Sequence, residues 1–121
     1  MEEIARAHRN PATRIFVVWE PVLDTDVRPP REEDMRRVSD GRAQHYWDPK
    51  TVVSAEFKRT LAAGPVEITG KRSLIEGEIV WDVIASFPPG LRWDDLVPAP
   101  SFLGGPVVNV KDASLRVLQS N

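Results

Sequence analysis

Ile15-Phe16-Val17-Val18-Trp19 is an unbroken run of β-branched and aromatic residues, and no other stretch narrows the choice of fold so far. A run without polar alternation suits a strand covered on both faces, usually a parallel or central one. Pro21 stops it, because proline has no backbone N–H to give to a ladder. It is also the longest apolar stretch in the sequence, far short of the ~20 residues that cross a bilayer. Met1-Glu2-Glu3 lacks the basic start and apolar stretch of a signal peptide. The expectation is therefore no membrane and a cytoplasmic location.

Around that run the pattern alternates between strands and helices. Met1 to His8 suits a short helix with Ile4 and Ala7 on one face, ended by Asn10-Pro11. After Pro29-Pro30, Glu32, Glu33 and Asp34 precede Arg36 and Arg37, a charge order that complements a helix dipole. Ser39-Asp40-Gly41 reads as a stop and a new N-cap, predicting a second short helix over Arg42 to Trp47. Val53, Phe57 and Leu61 make a helical stripe closed by Gly64-Pro65. Val66 to Thr69 and Ser73 to Ile75 suit a hairpin turning at Gly70-Lys71. Glu78 to Phe87 is the clearest strand, with Ile79, Trp81, Val83, Ala85 and Phe87 on one face. Gly104 to Val108 suits a last short strand, and Asp112 an N-cap for a last helix carrying Leu115 and Leu118. The order predicts an α/β fold, a mixed sheet with flanking helices.

A length of 121 residues suits a single domain, 1–121, since two would each be too small to bury much. Sixteen basic and 18 acidic residues are spread along the chain for a net charge of −2. Without a basic surplus or stripe to neutralise phosphates, nucleic-acid binding is not expected. The chain has no cysteine, which removes disulfides, thiolate nucleophiles and sulfur-ligated metals together.

Four segments carry a resemblance. They are Phe16-Val17-Val18-Trp19-Glu20-Pro21-Val22-Leu23 with Asp26, then Asp40-Gly41-Arg42 leading to Tyr46-Trp47-Asp48, then Ile79-Val80-Trp81-Asp82 with Phe87-Pro88-Pro89-Gly90, and Gly104-Gly105-Pro106-Val107-Val108. From Phe16 to Val110 the chain resembles a group of poorly characterised bacterial proteins with a thioredoxin-like fold. Members of that group often have a leading strand, sometimes with a cysteine motif, before the segment matching Ile15 to Leu23. The resemblance implies a thioredoxin-like mixed sheet lacking the first strand and redox helix. The edge so exposed would favour pairing with another chain, and a homodimer is expected. Because such folds commonly bind extended chains beside a proline at a strand start, it also implies a peptide-binding surface at Trp47, Gly105 and Pro106.

Among polar residues, Glu20, Asp24, Asp26, Arg42 and His45 form the candidate cluster. Glu20 directly follows the apolar run, so its carboxylate must reach solvent or find a partner, with Arg42 the first candidate and Arg28 the second. Asp24 and Asp26 follow a strand end, where α/β sheets place functional loops, although capping and solvation account for them more simply. His45 with carboxylates can ligate a metal, but no HxH or HxxxH pair supports it. Trp19, Trp47, Trp81 and Trp93 are expected in core and rim packing, each indole N–H on a backbone carbonyl. Trp81 is expected to be buried. No nucleophile elbow or phosphate-cradling glycine loop is present.

With no catalytic residue, metal or cofactor assigned, the expected function is a non-redox thioredoxin-like module that binds a protein or peptide. The alternative is a hydrolase or metal-dependent enzyme using Glu20, Asp24, Asp26 and His45.

Overall fold

The computed structural model describes residues 1–21, 23, 25, 28–63, 68–70, 75–76, 79–80, 82–94 and 97–120, with 61–63, 68–70, 75–76 and 79 described by their backbone. Helices and strands are mixed along the chain, as the α/β pattern implies. Contacts gather into two compact units, Met1–Val53 and Ser54–Asn121. Among the described residues no helix is long and apolar enough to cross a membrane.

The first unit is built on two parallel strands. After helix α1 (Glu2–Ala7) comes β1 (Ile15–Trp19), then α2 (Glu32–Met35), a 3-10 turn (Arg36–Val38) and β2 (Ala43–Trp47). The acidic start of α2 closes on itself, with Asp34 Oδ2 accepting the Arg31 N–H at 2.9 Å. Ile15 lies opposite Ala43 and Trp19 opposite Trp47. The helix expected over Arg42 to Trp47 is therefore a strand. The reason is visible in its burial: Ala43, His45 and Trp47 are half-buried while Gln44 and Tyr46 are exposed, a period of two. β1 alternates in the same way rather than being covered on both faces, so Phe16 and Val18 face outward despite their hydrophobicity.

The second unit packs α4 (Val107–Ser120) against a three-stranded sheet. In that sheet β7 (Phe102–Gly105) lies between β3 (Ile68–Gly70), parallel to it, and β6 (Ile84–Ser86), antiparallel. Ile84, Phe102, Leu103, Val107 and Val110 are the buried core. β4 (Ile75–Glu76) and β5 (Ile79–Val80) form a small antiparallel pair. Of the hairpin expected between residues 66–69 and 73–75, most, with its turn at Lys71, lies outside the described residues; Ile68 and Thr69 pair with the buried β7 and Ile75 with β5.

The expected strand over Glu78 to Phe87 is divided. Asp82 has φ +53, which interrupts the extended chain between β5 and β6. Ile84 and Ser86 are the buried residues of β6, where Ala85 was expected inside. Trp81 lies outside the described residues. β7 ends at Gly105, so Val107 and Val108 begin α4 rather than ending a strand, and Asp112 lies within the helix instead of capping it. Helix α3 (Val52–Ala63) matches the stripe of Val53, Phe57 and Leu61. From it the buried Ser54 Oγ accepts the Val80 N–H at 2.9 Å, tying helix to β5.

Leu103, 2% exposed, is the most enclosed apolar side chain among the described residues of this sheet. Leu103→Ala should cost about 3 kcal/mol of unfolding free energy in urea titration. A loss below about 1 kcal/mol would show that β7 is not the central strand of the core.

Candidate functional site

The candidate cluster is divided by the direction of the strands. In the β1–β2 register Arg42 stands at the level of residue 14 and Glu20 at the level of residue 48. Six residues of extended chain put the Glu20 and Arg42 levels ~20 Å apart. Arg42 begins β2, and all five of its N–H donors are engaged there. Nε and Nη2 each bond Asp40 at 2.9 Å, Nη1 bonds the His8 and Asn10 carbonyls at 2.7 and 2.9 Å, and Nη2 bonds the Ala5 carbonyl at 2.6 Å. The expected Glu20–Arg42 pair is thus replaced by an Arg42–Asp40 pair that fastens α1 and its following loop to β2. Bonds from the Arg42 side chain, then its backbone N–H, hold the Asp40 carboxyl down at about 2.

Glu20 instead bonds Asp48, its neighbour across the parallel pair. Burial pushes the Asp48 carboxyl up, but the N–H groups of Val53 (2.8 Å to Oδ2) and Val52, the Glu20 carboxyl and the Lys50 N–H outweigh it, and its pKa is lowered. Asp48 therefore caps the start of α3. Its signal was in the sequence as Asp48-Pro49 ahead of a helical stripe, a helix-start pattern more than a helix end.

His45, midway along β2, has both ring nitrogens occupied. Nδ1 accepts the Trp19 indole N–H at 3.0 Å, so Nε2 carries the ring proton and donates it to the Val38 carbonyl at 3.1 Å. Trp19 thus meets an imidazole where a backbone carbonyl was expected. Asp24 and Asp26 lie outside the described residues. Among the described residues no group of three or more His, Asp or Glu side chains is placed to hold a metal. Of the expected peptide surface, Trp47 is half-buried on β2, and in the second unit Gly105 is buried in β7 with Pro106 preceding α4. Trp93 packs edge-on against Phe87 and Phe57, with ring centroids 5.3 and 6.1 Å away.

β1 itself carries the feature that residue types alone did not single out. The Ile15 N–H bonds the Arg42 carbonyl and the Trp19 carbonyl accepts the Asp48 N–H, so the odd-numbered residues turn their backbones toward β2. The N–H and C=O groups of Phe16 and Val18 then point away from β2. No strand pairs with them there among the described residues. On the same residues the side chains are open: Phe16 is 56% exposed and Val18 38%, beside Tyr46 at 50%. The Phe16 and Tyr46 rings lie 6.1 Å apart, and the Tyr46 hydroxyl donates to Gln44 Oε1 at 2.9 Å. The result is a strand edge with no partner strand among the described residues, bordered by an apolar face.

No family model matches the chain, and no curated protein and no solved structure matches it.

Two tests address the Arg42 anchor. Arg42→Lys keeps the charge but replaces a planar fork with one ammonium, leaving carbonyls of the α1 segment without donors. It should lower stability by about 2 kcal/mol in urea titration. The lowered Asp40 carboxyl contributes stability that is full above the ordinary carboxylate range and lost as pH falls toward about 2. Urea midpoints measured through that acid range should fall less steeply in Asp40→Asn than in the unaltered chain. Identical acid limbs would exclude the pair as the cause.

Proposed function

We propose that the chain is a non-catalytic, thioredoxin-like interaction module, acting in the cytoplasm, that takes an extended segment of another protein chain along β1. One observation carries this: among the described residues no strand pairs with the backbone groups of Phe16 and Val18, and the side chains there are exposed. An added strand would satisfy those groups, and alternate apolar side chains on it would cover Phe16, Val18 and Tyr46. β1 has none of the charge or proline that natural edges use to prevent such pairing. The enzyme reading draws less support, since His45, its only imidazole, has both ring nitrogens bonded and is no free base or ligand.

The experiment is an NMR titration of labelled chain with a blocked peptide of alternating valine and threonine, lysine at each end. Shifts centred on the Phe16 and Val18 amides, weaker at Gln44 and Tyr46, are expected. Shifts centred on Trp47 or on the residues around Pro106 would move the binding surface to those places. No shift at any amide would remove the interaction reading.

A further inference from the structure

We infer that the segment β1 accepts is β1 of a second copy, paired antiparallel about a two-fold axis at Val17. This rests on the reading of β1 as an open edge and names its partner. The support is a self-complementary order of residues along that edge. Arg14, Phe16, Val18 and Glu20 share one parity, so they share one face and turn their backbones to the same open side. With Val17 opposite Val17, Phe16 of one copy meets Val18 of the other and exchanges both backbone bonds with it. The same register sets Arg14 of each copy opposite Glu20 of its mate. Arg14 is exposed and has no ion-pair partner among the described residues. It would arrive at the Glu20 carboxylate, and opposite charges attract there.

Charge complementarity therefore falls at both ends of the pairing and apolar contact in the middle. A one-residue slip would bring the wrong parity to the edge and lose both. The two-fold axis perpendicular to the sheet also leaves Phe16, Val18 and Tyr46 of both copies on one continuous face. A parallel arrangement about a two-fold axis would turn those faces to opposite sides. Such an interface, one strand and its border, lies at the small end of protein contacts, so weak, concentration-dependent association is expected.

Sedimentation velocity from micromolar to near-millimolar chain tests this. The unaltered chain should shift from monomer to dimer, and added salt should weaken the dimer. Arg14→Glu and Glu20→Arg each set like charges together twice per dimer and should weaken self-association about tenfold or more. Mixing the two variants matches opposite charges at both ends again, so a mixed dimer should form with near-original affinity. Val18→Lys, at an exposed position outside both charge pairs, should abolish the dimer while circular dichroism stays unchanged. A monomer at the highest concentration overturns the second copy as partner. So does weakening by both charge variants without recovery on mixing, when both remain folded. If the chain stays monomeric but the valine–threonine peptide still shifts the Phe16 and Val18 amides, the interaction reading stands and only the second copy is rejected. If neither occurs, both fall.

Discussion

The Arg42 guanidinium is the constraint on which the first unit depends. Three backbone carbonyls from α1 and the loop after it, at Ala5, His8 and Asn10, end without helical partners and point at one place. A planar fork with five donors can bond all three and still grip Asp40 with two prongs. An ordinary loop would leave those carbonyls to water. Here they bind α1, the turn at Asp40 and the first residue of β2 together, which sets where β2 begins. Glu2 adds a second tie at the same end, its carboxylate accepting the Ser39 N–H at 2.8 Å and hydroxyl at 3.0 Å.

Once the beginning of β2 is set, parallel register decides the rest of the ribbon. His45 comes opposite Val17, close enough to take the Trp19 indole N–H, and Asp48 comes beside Glu20. The two ends of the ribbon thus have different chemistry. At one, a cation is fully satisfied by carbonyls and a carboxylate. At the other, Glu20 lies beside Asp48, whose carboxyl is held below its ordinary value by the N–H groups at the start of α3. Glu20 follows β1 with a carboxylate, whereas Arg42 has no donor left to offer.

Several elements were legible because a local cause produced them. The acidic start of α2 and the stripe of α3 depend on neighbours three or four residues away, and both helices stand where that spacing puts them. The segment Arg42 to Trp47 was not legible. Asp40 followed by a short polar and aromatic stretch fits a capped helix as well as a turn into a strand. The pairing with β1, more than twenty residues away, settles it. The Glu20–Arg42 pair failed for the same reason: opposite charge identified two partners, but strand direction kept them at opposite ends. β6 failed differently, through one residue. A positive φ at Asp82 interrupts the extended chain ahead of it, and no residue pattern announces that.

By itself the sequence determined that the chain is mixed α/β, has no thiol chemistry and holds its longest apolar run in a strand, since each follows from residue type and short-range periodicity. Tertiary structure alone decided which face of that strand is covered. Ile15, Phe16, Val17 and Val18 are nearly equal in hydrophobicity, so composition cannot rank them. What separates them is the pleat: pairing with β2 sends Ile15 and Val17 to one side and Phe16 and Val18 to the other. On that second side Phe16 and Val18 are exposed.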